Sequence, residues 1–311
     1  MNGLQLSRDY FFTTALPRLK TDFGDKLENL AAGLVGNGSE CFGYDDEISR
    51  DHDWGIDFFI WVSETDRTLI EPLSEWKRNL IENCPPKYPR TRSEYGARIG
   101  VTTVSDFYAS LIGAPYGPQN IQEWRRVPEE NLAMSVNGEV FTDNAGEFTK
   151  TRNYILKYYP EDLRLKKIAA RCMALSQTGQ YNLDRVSKRQ DSVTLRTVLS
   201  RFTDSAISMT FLLNKVFSPY YKWAFKRMTE LPVLGGEVGA LLNKIAETGG
   251  LDTASLSEIR GFISEICGLF ASELRKQGVS SSDDWFLVSH GEEAQRRICD
   301  EWLKKLPTQY E

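Results

Sequence analysis

Histidine is scarce in these 311 residues: His52 and His290 are the only two. Zinc enzymes with two or three histidine ligands are thereby close to excluded. A histidine-based catalytic triad would have to use one of the pair, and neither lies near a G-x-S-x-G elbow. The five cysteines, Cys41, Cys84, Cys172, Cys267 and Cys299, are odd in number, widely spaced and never form C-x-x-C. Neither a disulfide framework nor a structural zinc site is supported, and a reducing compartment is the natural reading. Cys41 reads as a small buried thiol. Apolar runs are short, and the best, Ile56 to Val62, contains Asp57, so no membrane span is expected. The opening MNGLQLSRDYFF has no basic segment followed by a long apolar one, as a secretion signal would. Positive charge is in short supply too. Lys+Arg number 38 against 43 Asp+Glu, a formal net charge of −5, so no field over the whole molecule attracts nucleic acid. These absences lead us to expect a soluble cytoplasmic protein with no membrane partner and with nucleic acid disfavoured.

The chain is longer than one hydrophobic core usually supports, and its 41% hydrophobic and 26% charged residues are those of an ordinary globular protein. The first 35 residues read as helix: Leu16, Leu19, Phe23, Leu27, Leu30, Ala31 and Leu34 recur at spacings of three and four. Pro17 suits the first turn of this helix, and Gly36-Asn37-Gly38 stops it. Residues 38–53 are rich in turn formers and acids, with Asp45, Asp46 and Glu47 reading as a solvated loop. Asp53 to Val62 is strand-like and apolar enough to be covered on both faces. Residues 68–82 return to a helical pattern. Arg98 to Val104 reads as a second strand, followed by a helix capped by Thr103 or Ser105. Asn137-Gly138 between two short extended runs signals a hairpin.

Composition shifts near residue 147, and from there almost every segment has helical periodicity. Asn182 to Ser218 contains no Gly or Pro and reads as one long helix ended by Pro219. Further helices are expected at roughly 220–230, 235–247, 255–277 and 291–305. His290, in SHGEE, reads as part of a solvated helix start with Ser289 as cap. The expected fold class is α+β, with an α/β domain carrying a small mixed sheet over residues 1–146 and an all-α helical bundle over residues 147–311.

The chemistry-bearing stretch is VGNGSECFGYDDEISRDHDWGIDFF, residues 35–59. On a strand, residues two apart face one side, so Asp51 and Asp53 would present their carboxylates together, with His52 on the other side. Two ionised carboxylates that close repel unless a cation sits between them, and oxygen ligands without His or Cys select Mg²⁺ or Mn²⁺. Gly38-Ser39 supplies the complement: a backbone position without a side chain, then a hydroxyl and an amide at a turn, suited to a phosphate oxygen. Phosphate grip and metal grip together suggest phosphoryl or nucleotidyl transfer.

This order of features, Gly-Ser, a spacer, then acid-x-acid entering a strand, resembles the nucleotidyltransferase fold shared by DNA polymerase β, kanamycin and lincosamide nucleotidyltransferases and the minimal nucleotidyltransferases. The strings GSECFGYDDEISRDHDWG, GQYN (179–182) and NKVFSPYYKWAFK (214–226) resemble one uncharacterised bacterial family of nucleotidyltransferase-like proteins. The resemblance implies that Gly38 and Ser39 hold the triphosphate of a nucleotide, and that Asp51 and Asp53 are catalytic and bind two metal ions, Mg²⁺ with Mn²⁺ as a substitute. It also implies a third carboxylate on a neighbouring strand, the base that activates the acceptor. RIGVTTV (98–104) holds no acid, Gly100 sits where one is expected, and Asp57, Glu94, Asp106 and Glu139 do not fit well.

In the helical half, Arg185, Lys188 and Arg189 are spaced to share a helix face, either a solvated surface or a cationic wall for phosphate. Lys222, within PYYKWAF, either snorkels to solvent or reaches the triphosphate, with its Tyr and Trp neighbours as packing. The expected function is transfer of a nucleoside monophosphate, AMP from ATP, onto a hydroxyl or amine of a small molecule or protein. The alternatives are a catalytically degraded nucleotide binder with a regulatory or toxin–antitoxin role, and a Mg²⁺-dependent phosphotransferase.

Overall fold

The computed structural model describes residues 2–24, 28–51, 54–91, 100–248, 250 and 252–311. The chain divides into two compact units, Met1–Lys157 and Tyr158–Glu311. The class is α+β, with a small mixed sheet and several C-terminal helices.

In the first unit, α1 (Gly3–Tyr10), a π-helical turn (Phe11–Ala15) and α2 (Leu16–Phe23) follow one another. This helical stretch buries Leu6, Tyr10, Phe11, Ala15 and Leu19. Four further helices follow: α3 (Ile70–Glu82) and α4 (Val104–Ile112), which pack on the strands, then α5 (Ile121–Arg126) and α6 (Glu129–Val136), the last against α4. The strands are β1 (Ala31–Leu34), β2 (Trp54–Gly55), β3 (Phe59–Val62), β4 (Arg90–Thr91), β5 (Val101–Thr103) and β6 (Glu139–Asp143). They form a four-stranded sheet in the order β5-β3-β1-β6 and a two-stranded sheet of β2 and β4. β1 is antiparallel to both β3 and β6, while β3 and β5 are parallel. The final helix of the unit, α7 (Glu147–Ile155), stacks Phe148 on Trp61 of β3, ring centroids 4.0 Å apart. The expected boundary at 146/147 falls in the turn before α7, whereas the contacts divide at Lys157/Tyr158.

Two expectations are corrected here. Ala31–Leu34 is a strand, not the end of a helix. It is buried along its whole length, so it shows no alternation, and its Leu/Ala content imitates a helical face. Asn137-Gly138 is no hairpin either: it joins α6 to β6.

The second unit is helical among the described residues. It runs α8 (Glu161–Leu175), a π-helical segment (Ser176–Asn182), α9 (Leu183–Lys188), α10 (Ser192–Asn214), α11 (Tyr221–Thr229), α12 (Gly235–Glu247), α13 (Thr253–Lys276), α14 (Leu287–Arg296) and α15 (Glu301–Lys305). The single helix expected from Asn182 to Ser218 is therefore broken. Gln190 has φ +56°, and Asp191 starts α10 by accepting the Thr194 N–H at 3.0 Å, so a capping aspartate sets a new helix without any Gly or Pro. α10 ends at Asn214, with Lys215 left-handed, before Pro219 is reached. His290 is wholly buried rather than solvated. Its Nε2 lies 2.8 Å from the Asp284 carbonyl, and Ser289 donates to the Asp284 carboxylate at 2.6 Å instead of capping a helix.

Candidate functional site

The Gly36-Asn37-Gly38-Ser39 turn leaves the C-terminal end of β1. Gly36 and Gly38 have φ of +115° and +132°, the left-handed half of the map where a Cβ is strained. The turn is clamped from the α6–β6 junction. The Gly36 N–H donates to Asn137 Oδ1, and Asn137 Nδ2 donates back to the Gly36 carbonyl, both at 2.8 Å. The Gly138 N–H donates to the Cys41 carbonyl at 2.8 Å. Arg152 of α7 holds the junction in place by donating to the carbonyls of Val136, Asn137 and Gly138 at 2.8, 3.1 and 3.1 Å. Asn137-Gly138, read from sequence as a hairpin, thus serves as the brace of the Gly-Ser turn.

Ser39 is half-buried and opens a 3₁₀ turn, Glu40–Phe42, without capping it through its side chain. Its carbonyl accepts the Phe42 and Tyr44 N–H groups at 3.1 and 2.9 Å. Glu40 is 5% exposed, and its carboxylate oxygens lie 2.7 Å from where a Cβ on Gly38 would sit. The φ of +132° strains any side chain at position 38, and a buried acid touches the turn, a feature the sequence reading missed. Burial, then the charges of Glu40 and Asp45, push the Cys41 thiol well above its ordinary value, in keeping with a packed, unreactive cysteine.

In the acidic loop Asp46 and Glu47 are exposed, as expected of a solvated segment, while Asp45 is half-buried. Asp45 accepts the Gly3 N–H at 2.7 Å and the Trp54 indole N–H at 2.8 Å, tying the first turn of α1 to β2. Asp46 accepts the Ser49 N–H and hydroxyl, both at 2.9 Å, and a second 3₁₀ turn, Ile48–Arg50, follows.

Asp51 closes that turn with φ −67° and ψ −33° and is exposed. The strand alternation invoked for Asp51 and Asp53 therefore does not reach Asp51, because the backbone there keeps the helical geometry of the turn it closes. Asp53 and His52 lie outside the described residues. Arg50 stacks on Trp54, 4.5 Å from the ring centroid, and its carbonyl accepts the Thr91 hydroxyl at 3.0 Å. This places a cation on the Trp54 ring that the sequence reading did not single out.

The acids weighed as a third carboxylate are dispersed. Asp57 is buried between Lys77, 2.6 Å away, and Arg90. Burial lowers the Lys77 pKa while the Asp57 charge works against that shift. Asp106 pairs with Arg67 at 2.8 Å. Glu139 pairs with Arg8 at 3.2 Å and lies opposite Leu34 in the β1–β6 register, so it flanks the turn. β5 holds no acid, Gly100 has open space where a side chain would stand, and Glu94 lies outside the described residues. Among the described residues no group of three or more His, Cys, Asp or Glu could hold a metal ion. Two all-oxygen aspartates suit Mg²⁺ in donor chemistry, but completion of such a site depends on Asp53.

In the second unit, Arg185 lies over the Tyr181 ring at 4.3 Å. Lys188 ends α9, and Arg189 follows as its C-cap. Lys222 is exposed on α11, with its ammonium 5.2 Å from the Trp223 ring centroid. The tyrosines beside it, expected to pack, are exposed, Tyr221 by 77%.

Residues 124–224 match a family described as a domain of unknown function, DUF4037. The matched segment includes GQYN, Arg185 and Lys222, stops short of half the chain, and leaves out the Gly-Ser turn and the aspartates. No curated protein and no solved structure matches the chain. Among the described residues no helix is long and apolar enough to cross a membrane.

Proposed function

We propose that the protein is a Mg²⁺-dependent nucleotidyltransferase that moves a nucleoside monophosphate, AMP from ATP, onto a hydroxyl or amine of a small molecule or protein. The observation that carries this reading is the braced Gly36–Ser39 turn at the end of β1. Gly36 and Gly38 have positive φ, and Asn137 clamps Gly36 through its N–H and carbonyl, so that the amides that follow and the Ser39 hydroxyl are the groups offered to a phosphate. Asp51 and Asp53 hold the cation, and Arg185 and Lys222 are the candidate phosphate contacts of the helical half. Bound Mg²⁺ supplies charge neutralisation at the reacting phosphate.

The test is titration calorimetry with ATP, with and without Mg²⁺. ATP binding that requires Mg²⁺, and that weakens about tenfold in Ser39→Ala and in Asp51→Asn, a loss near 1.4 kcal/mol, supports the reading. Undetectable binding of Mg²⁺–ATP sinks it. A second reading, a nucleotide binder without transfer, is favoured by the absence of an acid on β5. Tight binding with no label transfer from labelled ATP to any of a panel of hydroxyl and amine acceptors would select it.

A further inference from the structure

The start of α11 carries an aromatic and basic face that its own helix core does not require. Ala224 and Met228, 7% and 0% exposed, anchor the helix. Tyr220 and Tyr221 are 45% and 77% exposed, with ring centroids 4.3 Å apart. Next to them, Lys222 and Lys226 lie over the Trp223 ring at 5.2 and 5.5 Å. The neighbouring cations are spoken for: Lys215 is 3.7 Å from Glu161, and Arg227 is 3.1 Å from Glu230. No ion pair to Lys222 occurs among the described residues.

We propose that this face binds single-stranded nucleic acid. Adjacent exposed aromatic rings at the start of a helix provide stacking surface for bases, and the neighbouring Lys222 ammonium answers a phosphate. A duplex hides its base faces in its own stack, so the platform discriminates against it. The net charge of −5 does not oppose this, because charges beyond about 8–10 Å are screened at physiological salt and only the local lysines count. The inference shares Lys222 with the proposed transfer reading, but its stacking surface, Tyr220 and Tyr221, has no part in that reading.

The test is fluorescence anisotropy of the full-length protein with a labelled single-stranded oligonucleotide of roughly 12 nucleotides, at about 50 mM salt. The same strand annealed to its complement, and unlabelled ATP with Mg²⁺ as competitor, form the other arms. We expect saturable binding of the single strand, at least about tenfold weaker binding of the duplex, and a loss of about tenfold in Tyr221→Ala, within the range for one stacked base. Tyr221→Phe should bind as wild type, and thermal unfolding of both variants should be unchanged because the ring is exposed. No binding of the single strand, equal affinity for the duplex, or full affinity in Tyr221→Ala overturns the proposal. Asp51→Asn should retain oligonucleotide binding, which separates failure of this inference from failure of the transfer reading.

Discussion

The two units cap their helices with different side chains, and each holds some glycines tightly while leaving others in open space. In the first unit Gly33 and Gly138, which flank the candidate turn, are held against backbone, whereas Gly36 within it has open space. A Cβ on Gly138 would lie 1.9 Å from the Leu34 carbonyl oxygen, and one on Gly33 would lie 2.4 Å from that of Glu139. In the second unit, Gly261 and Gly268 sit inside α13 with open space around them. Helix starts do differ. α1, α4 and α5 are capped by the neutral side chains of Asn2, Thr103 and Asn120, whereas α10, α13 and α15 are capped by Asp191, Asp252 and Asp300. The lesson is that where side chains cap helices, the first unit relies on neutral groups and the second on carboxylates.

The sharpest way to probe the tight and open glycines is Gly138→Ala. A methyl group driven into the Leu34 carbonyl at φ +60° should cost about 4 kcal/mol or more, among the largest single-residue effects, read by urea unfolding. A loss below about 1 kcal/mol would show that the brace yields easily. Next in size is Asp57→Ala, which strands the buried Lys77 and should cost about 3 kcal/mol, with much of it recovered in the double variant Asp57→Ala/Lys77→Met. No recovery would mean that the ion pair is not what Lys77 is there for. In the second unit, Gly261→Ala and Gly268→Ala should each stabilise by up to about 1 kcal/mol, seen as a raised Tm, and destabilisation would contradict the open space at those positions.

The smallest effect is acid sensitivity of the caps. Hydrogen bonds from the Thr194 and Ser255 side chains, then from backbone N–H groups, hold the Asp191 and Asp252 carboxyls below their ordinary value of 3.8. A depressed folded-state pKa means that this stability is present above the unfolded value and is lost as pH falls through the lower folded one. Amide protection factors in the first turns of α10 and α13 should therefore drop on acidification below about pH 4, while those at the Asn-capped starts of α1 and α5 hold. Equal loss at all four helices would erase the distinction.

Legibility from sequence followed the locality of the interactions. α12 spans Gly235–Glu247, where the pattern placed it, and α3 and α11 lie close to their expected ranges, because a helix face and its stop signals are written within a few residues. β1 was misread because a fully buried strand loses the alternation that announces it. Asn137-Gly138 was misread because its partner, Gly36, is a hundred residues away in sequence. At the candidate site, the Gly-Ser turn could be picked out from residue types alone. Glu40 beside Gly38, the Arg50 stack on Trp54 and the Lys77–Asp57–Arg90 group could not, since each depends on which side chains the packed elements bring into contact.

Sequence alone determined the scarcity of histidine, the helical character of the second half and the glycines that permit a tight turn, since composition and short-range periodicity suffice for each. Tertiary structure decided that the chain after Leu30 pairs as the second-from-edge strand of a sheet, that Asp57 is neutralised in the interior, that Asp51 ends a turn instead of starting a strand, and that Tyr221 faces water. Those outcomes rest on contacts between distant segments, whose energies exceed the few tenths of a kcal/mol per residue, about, by which local propensities differ.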